Sequence, residues 1–388
     1  MNKKSVLLGL AAVTLLTACS NGQDPKTEAT SPVKEVTASV NDDIHGDIFL
    51  YDSMIDKESN SIISPYGIRD AFHPIVKYAE NESKTELNHI LEVSDSVTSK
   101  YDEYDENAVF DGTKGLMIVN KAYAGKETGA EEIEQINYKN FEETFNKILS
   151  EASGRDLKIT VPENVEYSSG VLANAIYFNN AWDYEKRTIS WDGKDVPAFG
   201  GTELPIEQVK EANNHIDVLR IPYDVENGND YSLYIICDNA DSDTDSVDAF
   251  MADTTEDELH DLLDFSEYKR LYGYDSLDFI VPDFSVENDP NLIETLRDIG
   301  ISSVFSKNTK DFSTIGNLRI DAVYQLSTFS ANENGSGVDL SEKEILEDTT
   351  EKEEGTKYVR ADSPFVFILK DDTTNDIIYM GRIADPSL

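Results

Sequence analysis

The sequence has 388 residues, of which 33 are Lys or Arg and 76 are Asp or Glu, so its formal net charge at pH 7 is −43. This charge argues against binding to nucleic acid, whose phosphates would be repelled. Hydrophobic residues make up 39% of the chain and aromatic residues 10%, which is enough for a sizeable core. The acidity suits a solvated exterior surface, and it would also favour association with basic partners.

The chain begins with the features of an exported lipoprotein. Two lysines near the start precede the apolar run Val6–Leu16, which is too short to span a bilayer permanently. Small residues then lead into Cys19, as a lipoprotein signal peptidase requires. We expect a signal peptide at residues 1–18 and a lipid on Cys19 that anchors the exported protein to a membrane at the cell surface or envelope. An ordinary signal peptide with a chance cysteine is the alternative.

Two regions of different composition follow the anchor. Residues 19–43 are rich in Ser, Thr, Pro, Lys, Asp and Glu and have no aromatic side chain, which is typical of a disordered tether. Residues 44–388 have the apolar content of a single large folded domain. The second cysteine, Cys237, lies in an apolar run and is expected to be a small buried hydrophobe, so the mature chain would have no internal disulfide.

Hydrophobic spacing predicts helices early in the domain and strands late, which indicates the α+β class. Ser64 is a candidate N-cap, with Pro65 at the first helical position. Helices are expected at Ile48–Ile55, Pro65–Ala79, Lys84–Leu91, Glu131–Ser150 and Leu292–Ile299. Strands are expected at Leu116–Val119, Val171–Phe178, Asp217–Pro222, Tyr231–Cys237, Leu277–Val281, Leu318–Phe329, Val359–Leu369 and Ile377–Ile383.

Motifs for catalysis are missing from the sequence. The five histidines include no pair with metal-ligand spacing, and there is neither a Gly-rich phosphate loop nor a Gly-x-Ser-x-Gly elbow. With 76 acidic residues some carboxylates must lie close together, so a paired-carboxylate hydrolase stays open as an alternative. We expect a protein that is not an enzyme.

Short blocks along the domain resemble the serpin family, and they occur in the family's order. The clearest is Asn174-Ala175-Ile176-Tyr177-Phe178 followed by Trp182. Other blocks lie at Asn60–Ile68, Ile221–Tyr223, Val281–Phe284, Asp311–Ser313, Ala361–Phe367 and Gly381–Ile383. Each block is weak by itself, but their shared order over Ile48–Pro386 is specific.

The resemblance implies a metastable fold of three β-sheets and eight or nine helices, with an exposed reactive loop between Glu333 and Ala361. In serpins a serine protease cleaves this loop and becomes acylated, and the loop then inserts into the central sheet and distorts the protease. The resemblance also implies a monomer that needs no metal or cofactor. It makes Ser64, Asn174 and Gln325 candidates for the region where the sheet opens.

Insertion requires the loop to bury alternate side chains, since side chains alternate along a strand. The hinge starts at Glu333 and Gly335, and the inward positions after it would be small or apolar. These are Ser336, Val338 and Leu340. The next inward positions are Glu342 and Glu344, whose burial costs several kcal/mol unless they take up a proton. The small and apolar inward residues favour insertion of the first half of the loop. The two glutamates oppose insertion of the second half.

Three departures from the family pattern bear on this mechanism. The loop has no alanine-rich stretch, Gln325-Leu326 stands where serpins usually have His-Lys, and Gly67 replaces a usual serine. A serpin-shaped surface lipoprotein that binds a ligand or partner without inhibiting proteases is therefore the alternative function.

The position of the scissile bond follows only from counting along the loop. The usual hinge length places it at Thr349–Thr350. Glu347, Asp348 and Lys352 are further candidates for the residue that fills the first pocket of the protease. Thr349 would suit an elastase- or subtilisin-like protease, an acidic residue a glutamate-specific one, and Lys352 a trypsin-like one.

Overall fold

A computed structural model describes residues 46–92, 109–111, 115–161, 169–224, 231–239, 247–266, 271–288, 291–337, 343–346 and 353–388. The predicted signal peptide, the predicted lipid-anchor residue Cys19 and the predicted tether lie outside these ranges. So do Val338, Leu340 and the predicted scissile bond Thr349–Thr350. No helix among the described residues is long and apolar enough to cross a membrane.

The described residues contain seven α-helices. They are α1 (Asp47–Met54), α2 (Pro65–Val76), α3 (Asn81–Ile90), α4 (Phe141–Ser153), α5 (Val247–Asp253), α6 (Glu256–Leu263) and α7 (Ile293–Asp298). Ser64 begins α2 as predicted, because its hydroxyl accepts a hydrogen bond from the Gly67 N–H and Pro65 needs no partner at the first position. A capping box between Thr255 and Glu258 begins α6.

Eighteen β-strands are described, and most of the later ones coincide with the predicted apolar runs. They are β1 (Ser61–Ile63), β2 (Val109–Asp111), β3 (Leu116–Ala124), β4 (Ile133–Gln135), β5 (Gly170–Phe178), β6 (Asn180–Ala181), β7 (Glu185–Trp191), β8 (Lys194–Pro205), β9 (Val209–Glu211), β10 (Ile216–Pro222), β11 (Tyr231–Asp238), β12 (Ser276–Pro282), β13 (Phe284–Asn288), β14 (Ile320–Ala331), β15 (Gly335–Ser336), β16 (Thr356–Arg360), β17 (Phe365–Asp371) and β18 (Ile377–Ile383).

Three large sheets organise these strands, which confirms the predicted α+β architecture. The central sheet has the order β13-β14-β5-β3-β2, with β4 beside β3. A second sheet has the order β1-β18-β17-β11-β10-β9, and a third has the order β16-β12-β8-β7. The short strand β15 pairs with β6 alone.

The central sheet is covered on both faces, so β5 is buried at every position, as its continuous apolar sequence predicted. Phe141 and Phe145 of α4 share an apolar cluster with Tyr324. Phe72 of α2 belongs to a different cluster, together with Val323. Since Val323 and Tyr324 are neighbours on β14 and point to opposite faces, α2 and α4 cover opposite faces of the sheet.

Two predicted elements differ from the structure. The helix expected at Glu131–Ser150 begins only at Phe141, and its first part is β4, which pairs in parallel with β3. The strand expected at Val359–Leu369 is two strands separated by residues 361–364. In both cases backbone pairing with a distant strand decided the structure, and apolar spacing alone does not report such pairing.

Candidate functional site

The centre of the site is the pair of parallel strands β5 and β14. They are hydrogen-bonded neighbours along Ile320–Thr328, with Gln325 opposite Asn174 and Thr328 opposite Tyr177. No strand lies between them. A new strand can enter here only after this ladder parts, and it would then find open hydrogen-bonding edges on both sides.

The three residues predicted to lie where the sheet opens come together beneath this pair. The Gln325 side-chain amide donates to the Ser64 carbonyl at 3.1 Å, and the Ser64 hydroxyl donates to the Ile378 carbonyl at 2.6 Å. The Asn174 amide donates to the Asp70 carboxylate at 2.9 Å. All of these side chains are buried. Their hydrogen bonds tie both strands to the first turns of α2.

The buried carboxylate of Asp70 is a member of this cluster that the sequence analysis missed. Burial raises the pKa of Asp70 to about 7, and the hydrogen bond from Asn174 opposes that rise. Ser64, Gly67 and Asp70 follow one another at three-residue spacing, which places them on one helix face. That spacing was the available signal for a polar face buried against the sheet.

Gly67 fills the space between the helix and the two strand amides. A β-carbon at this position would lie 2.6 Å from the Gln325 amide nitrogen and 2.7 Å from the Asn174 amide oxygen. The two amides therefore occupy the volume that a serine side chain would need. The departures from the serpin pattern at Gly67 and Gln325 are sterically linked.

The loop hinge begins with a tight turn at the end of β14. The backbones of Asn332 and Gly335 exchange hydrogen bonds of 3.1 and 3.2 Å. Gly335 has a φ of +134°, and a β-carbon there would lie 2.2 Å from the Asn180 carbonyl oxygen, so glycine is required. The turn reverses the chain, so Ser336 and Gly337 run antiparallel to the end of β14.

The next two hinge residues are held firmly at the end of the strand pair. Ser336 is fully buried, and its hydroxyl lies 2.5 Å from the Tyr223 hydroxyl. The Gly337 carbonyl accepts hydrogen bonds from the Tyr177 hydroxyl at 2.9 Å and the Arg155 guanidinium at 2.5 Å. Sequence reasoning predicted Ser336 as an inward position. Tyr177 and Tyr223 lie in the blocks that resemble the family, but the sequence assigned neither of them, nor Arg155, a contact with the hinge.

Two carboxyl groups share one ammonium beside the turn. Glu333 is 1% exposed, and its carboxylate oxygens accept no hydrogen bond from the described residues, although Lys186 Nζ lies 3.5 Å away. Burial, with the Glu333 charge, raises the pKa of Asp283 to about 7, while Lys186 opposes the rise. The hinge therefore starts beside two buried carboxyl groups and one ammonium group.

One group of side chains among the described residues has the geometry to hold a metal ion, namely Asp47, Glu256 and His260. Its members already have protein partners. Arg69 forms an ion pair with Asp47, and Glu256 accepts the Ile48 N–H at 3.0 Å and lies 3.2 Å from the His260 imidazole. These contacts join α1 to α6. Packing between the two helices therefore accounts for the close approach of the three side chains.

A central sheet with a closed parallel pair, and a loop that turns back toward that pair, define the serpin class of fold. The family model for serpins, described as serine protease inhibitors, matches residues 48–386. The chain therefore belongs to the serpin family, and the match has the limits predicted from the sequence blocks.

Known relatives are distant and come from several lineages. An uncharacterized serpin-like protein of the archaeon Methanosarcina acetivorans is 21% identical over 87% of this chain and 85% of its own length. Serine protease inhibitor 2 of Anopheles gambiae is 23% identical over 90% and 95%. Among solved structures, the native state of the thermophilic serpin tengpin superposes with a TM-score of 0.67 at 20% identity, covering 89% of this chain and 92% of that one.

The packing around Gly67 predicts that Gly67→Ala destabilises the protein, although alanine is the better helix former by about 1 kcal/mol. Contacts below 3.0 Å would push the Gln325 and Asn174 amides out of place, so we expect a loss of about 1–3 kcal/mol in the free energy of unfolding. Chemical denaturation measures this. Adding Gln325→Ala makes room and should recover part of the loss, whereas stabilisation by Gly67→Ala alone would contradict the packing described.

The environment of Asp283 predicts a pH dependence of stability. Because its pKa is raised to about 7, the folded chain holds a proton that the unfolded chain releases, so this residue lowers the free energy of unfolding as pH rises from about 4 to about 7. Asp283→Asn should flatten that slope and stabilise the protein at pH 8 by about 1–2 kcal/mol. Asp257→Asn, on the exposed first turn of α6, is the control. Equal effects of both substitutions would contradict the assignment.

Proposed function

We propose that this serpin inhibits serine proteases as a suicide substrate. The protease serine attacks the carbonyl carbon of the scissile bond, and the new amino terminus leaves while the acyl-enzyme remains. The cleaved loop then inserts between β5 and β14 and carries the acylated protease with it. The observation that carries this proposal is the hinge turn at Asn332–Gly335, which turns the described residues Gly335–Gly337 back beside the end of β14.

The register of the turn supports the predicted inward positions. Asn332 pairs with Gly335, and the Gly337 N–H donates to the Ser330 hydroxyl at 3.2 Å. Continued along β14, this antiparallel register would set Val338 opposite Phe329, whose side chain belongs to the apolar core. Leu340 would come opposite the buried Ser327. The first part of the loop therefore matches the face that it would enter.

The same register shows what would oppose complete insertion. Glu342 would come opposite Gln325, within the cluster that already contains the Asp70 carboxyl group with its raised pKa. Glu344 would come opposite Val323, in an apolar cluster. Burial of either carboxylate requires a proton or a new partner. This observation favours the second candidate function, a non-inhibitory serpin-fold lipoprotein that binds a ligand or partner.

The proposal includes a place of action and a type of target protease. A lipid on Cys19 and a tether at residues 19–43 would hold the exported inhibitor at a membrane of the cell surface or envelope. Thr349–Thr350 is the proposed scissile bond, which suits an elastase- or subtilisin-like protease. The formal net charge of −43 favours encounter with a basic protease, since opposite charges accelerate association.

A covalent complex with a serine protease is the direct test of inhibition. Incubation with subtilisin-like, elastase-like, trypsin-like and glutamate-specific proteases should give, for at least one, a band of summed mass on a denaturing gel. The loop-cleaved chain should also melt at a higher temperature than the intact chain, because the inserted strand completes the sheet.

The variant Val338→Arg is the matched control for that test. It places a charge at a predicted inward position and does not replace Ser336 itself, so the loop should be cleaved without forming the complex. Clean cleavage of the unaltered chain, with full protease activity and no gain in melting temperature, would contradict inhibition and favour the binding function.

The two inward glutamates predict a gain-of-function variant. Glu342→Ala combined with Glu344→Ala removes two charges that insertion would bury, so fewer inhibitor molecules should be consumed per protease inactivated. Titration of protease activity measures this number. Asp339→Ala removes a charge from an outward position of the same strand and should leave the number unchanged. Equal effects of the two changes would show that insertion does not bury residues 342 and 344.

A further inference from the structure

The loop has a second ordered stretch beyond its hinge, and it lies along β7. The Leu346 N–H donates to the Lys186 carbonyl at 2.9 Å, and Ile345 forms a parallel bridge with Lys186. Because β7 is the last strand of its sheet, its outer edge offers unpaired backbone groups. Residues 343–346 thus run in extended form beside a sheet edge.

Lys343 fixes this stretch at its start. Its ammonium donates to the Asp183 carboxylate at 2.6 Å, to the Tyr184 carbonyl at 2.9 Å and to the Glu333 carbonyl at 3.0 Å. An ammonium has three hydrogens, so these acceptors satisfy all of them. Lys343 therefore joins the stretch to the chain that leads into β7 and to the start of the hinge.

The stretch exposes two large aliphatic side chains next to each other. Ile345 is 54% exposed and Leu346 is 45% exposed. Among the described residues, Tyr272 and Leu388 are the other large hydrophobic side chains classed as exposed. Two neighbouring residues of the extended segment thus present apolar side chains to solvent, on a molecule with a formal net charge of −43.

We propose that Lys343–Leu346 is the recognition segment for the target, and that the target is a serine protease whose substrate groove has an apolar pocket for Ile345 or Leu346. Lys343 is its positioning residue. The proposal rests on the function proposed above and adds the kind of protease. An extended peptide binds through its backbone and gains specificity from side-chain pockets. Ordering that peptide beforehand lowers the entropy lost on binding.

The proposed recognition is tested by the rate of loop cleavage, counted as cleaved chain plus covalent complex so that the result does not depend on inhibition. The probe is a subtilisin-type protease with a deep apolar pocket on the acyl side of the bond. Leu346→Ser or Ile345→Ser should slow cleavage about tenfold, since an apolar pocket discriminates to this extent. Tyr272→Ser, at a fully exposed apolar site elsewhere, should not. Unchanged rates for both loop variants would overturn the proposal.

The positioning role of Lys343 is tested by hydrogen exchange at the Leu346 amide. In Lys343→Gln and in Asp183→Asn this amide should exchange about tenfold faster, because the segment leaves the edge of β7. The exchanged pair Lys343→Asp with Asp183→Lys should restore part of the protection. Unchanged exchange would overturn the positioning role. Selective cleavage with no covalent complex would leave recognition standing and refute the proposed inhibition.

Discussion

The hydrogen-bonded contact between the parallel strands β5 and β14 is the constraint on which the rest of the structure depends. The strands are joined in register by their backbones and tied from below by the buried amides of Asn174 and Gln325. Parting them breaks a ladder and exposes buried amides, yet it creates two edges that can bind a new strand. This closed pair is therefore the place where the proposed extra strand would have to enter the central sheet.

Around this pair, the protein buries several carboxyl groups. Asp70 lies under the strands, and Asp283 and Glu333 lie beside the hinge. The pKa of both aspartates is raised to about 7, so part of the free energy of folding is lost as they ionise. Insertion of the loop would bury two further carboxyl groups, those of Glu342 and Glu344. In the proposed mechanism, the burial of these charged groups, and not packing alone, would limit how far the loop inserts.

Much of the fold was predictable because its signals are local or repetitive. The apolar run of β5, the cap at Ser64 and the ordered sequence blocks each gave the correct element or family. The start of α4 was not predictable, since β4 forms through pairing with β3 and not through its own periodicity. The candidate site was also predictable only in part. Ser64, Asn174 and Gln325 were proposed from the resemblance, whereas the contacts of Tyr177 and Arg155 with the hinge are long-range and could not be read from the sequence.

The central claim is that the loop fills the space between β5 and β14 once it has been cut. The most direct measurement is a crystal structure of the loop-cleaved chain. The account predicts a strand antiparallel to both neighbours, with Val338 opposite Phe329 and Leu340 opposite Ser327. A cleaved chain in which Gln325 still pairs with Asn174 would contradict it.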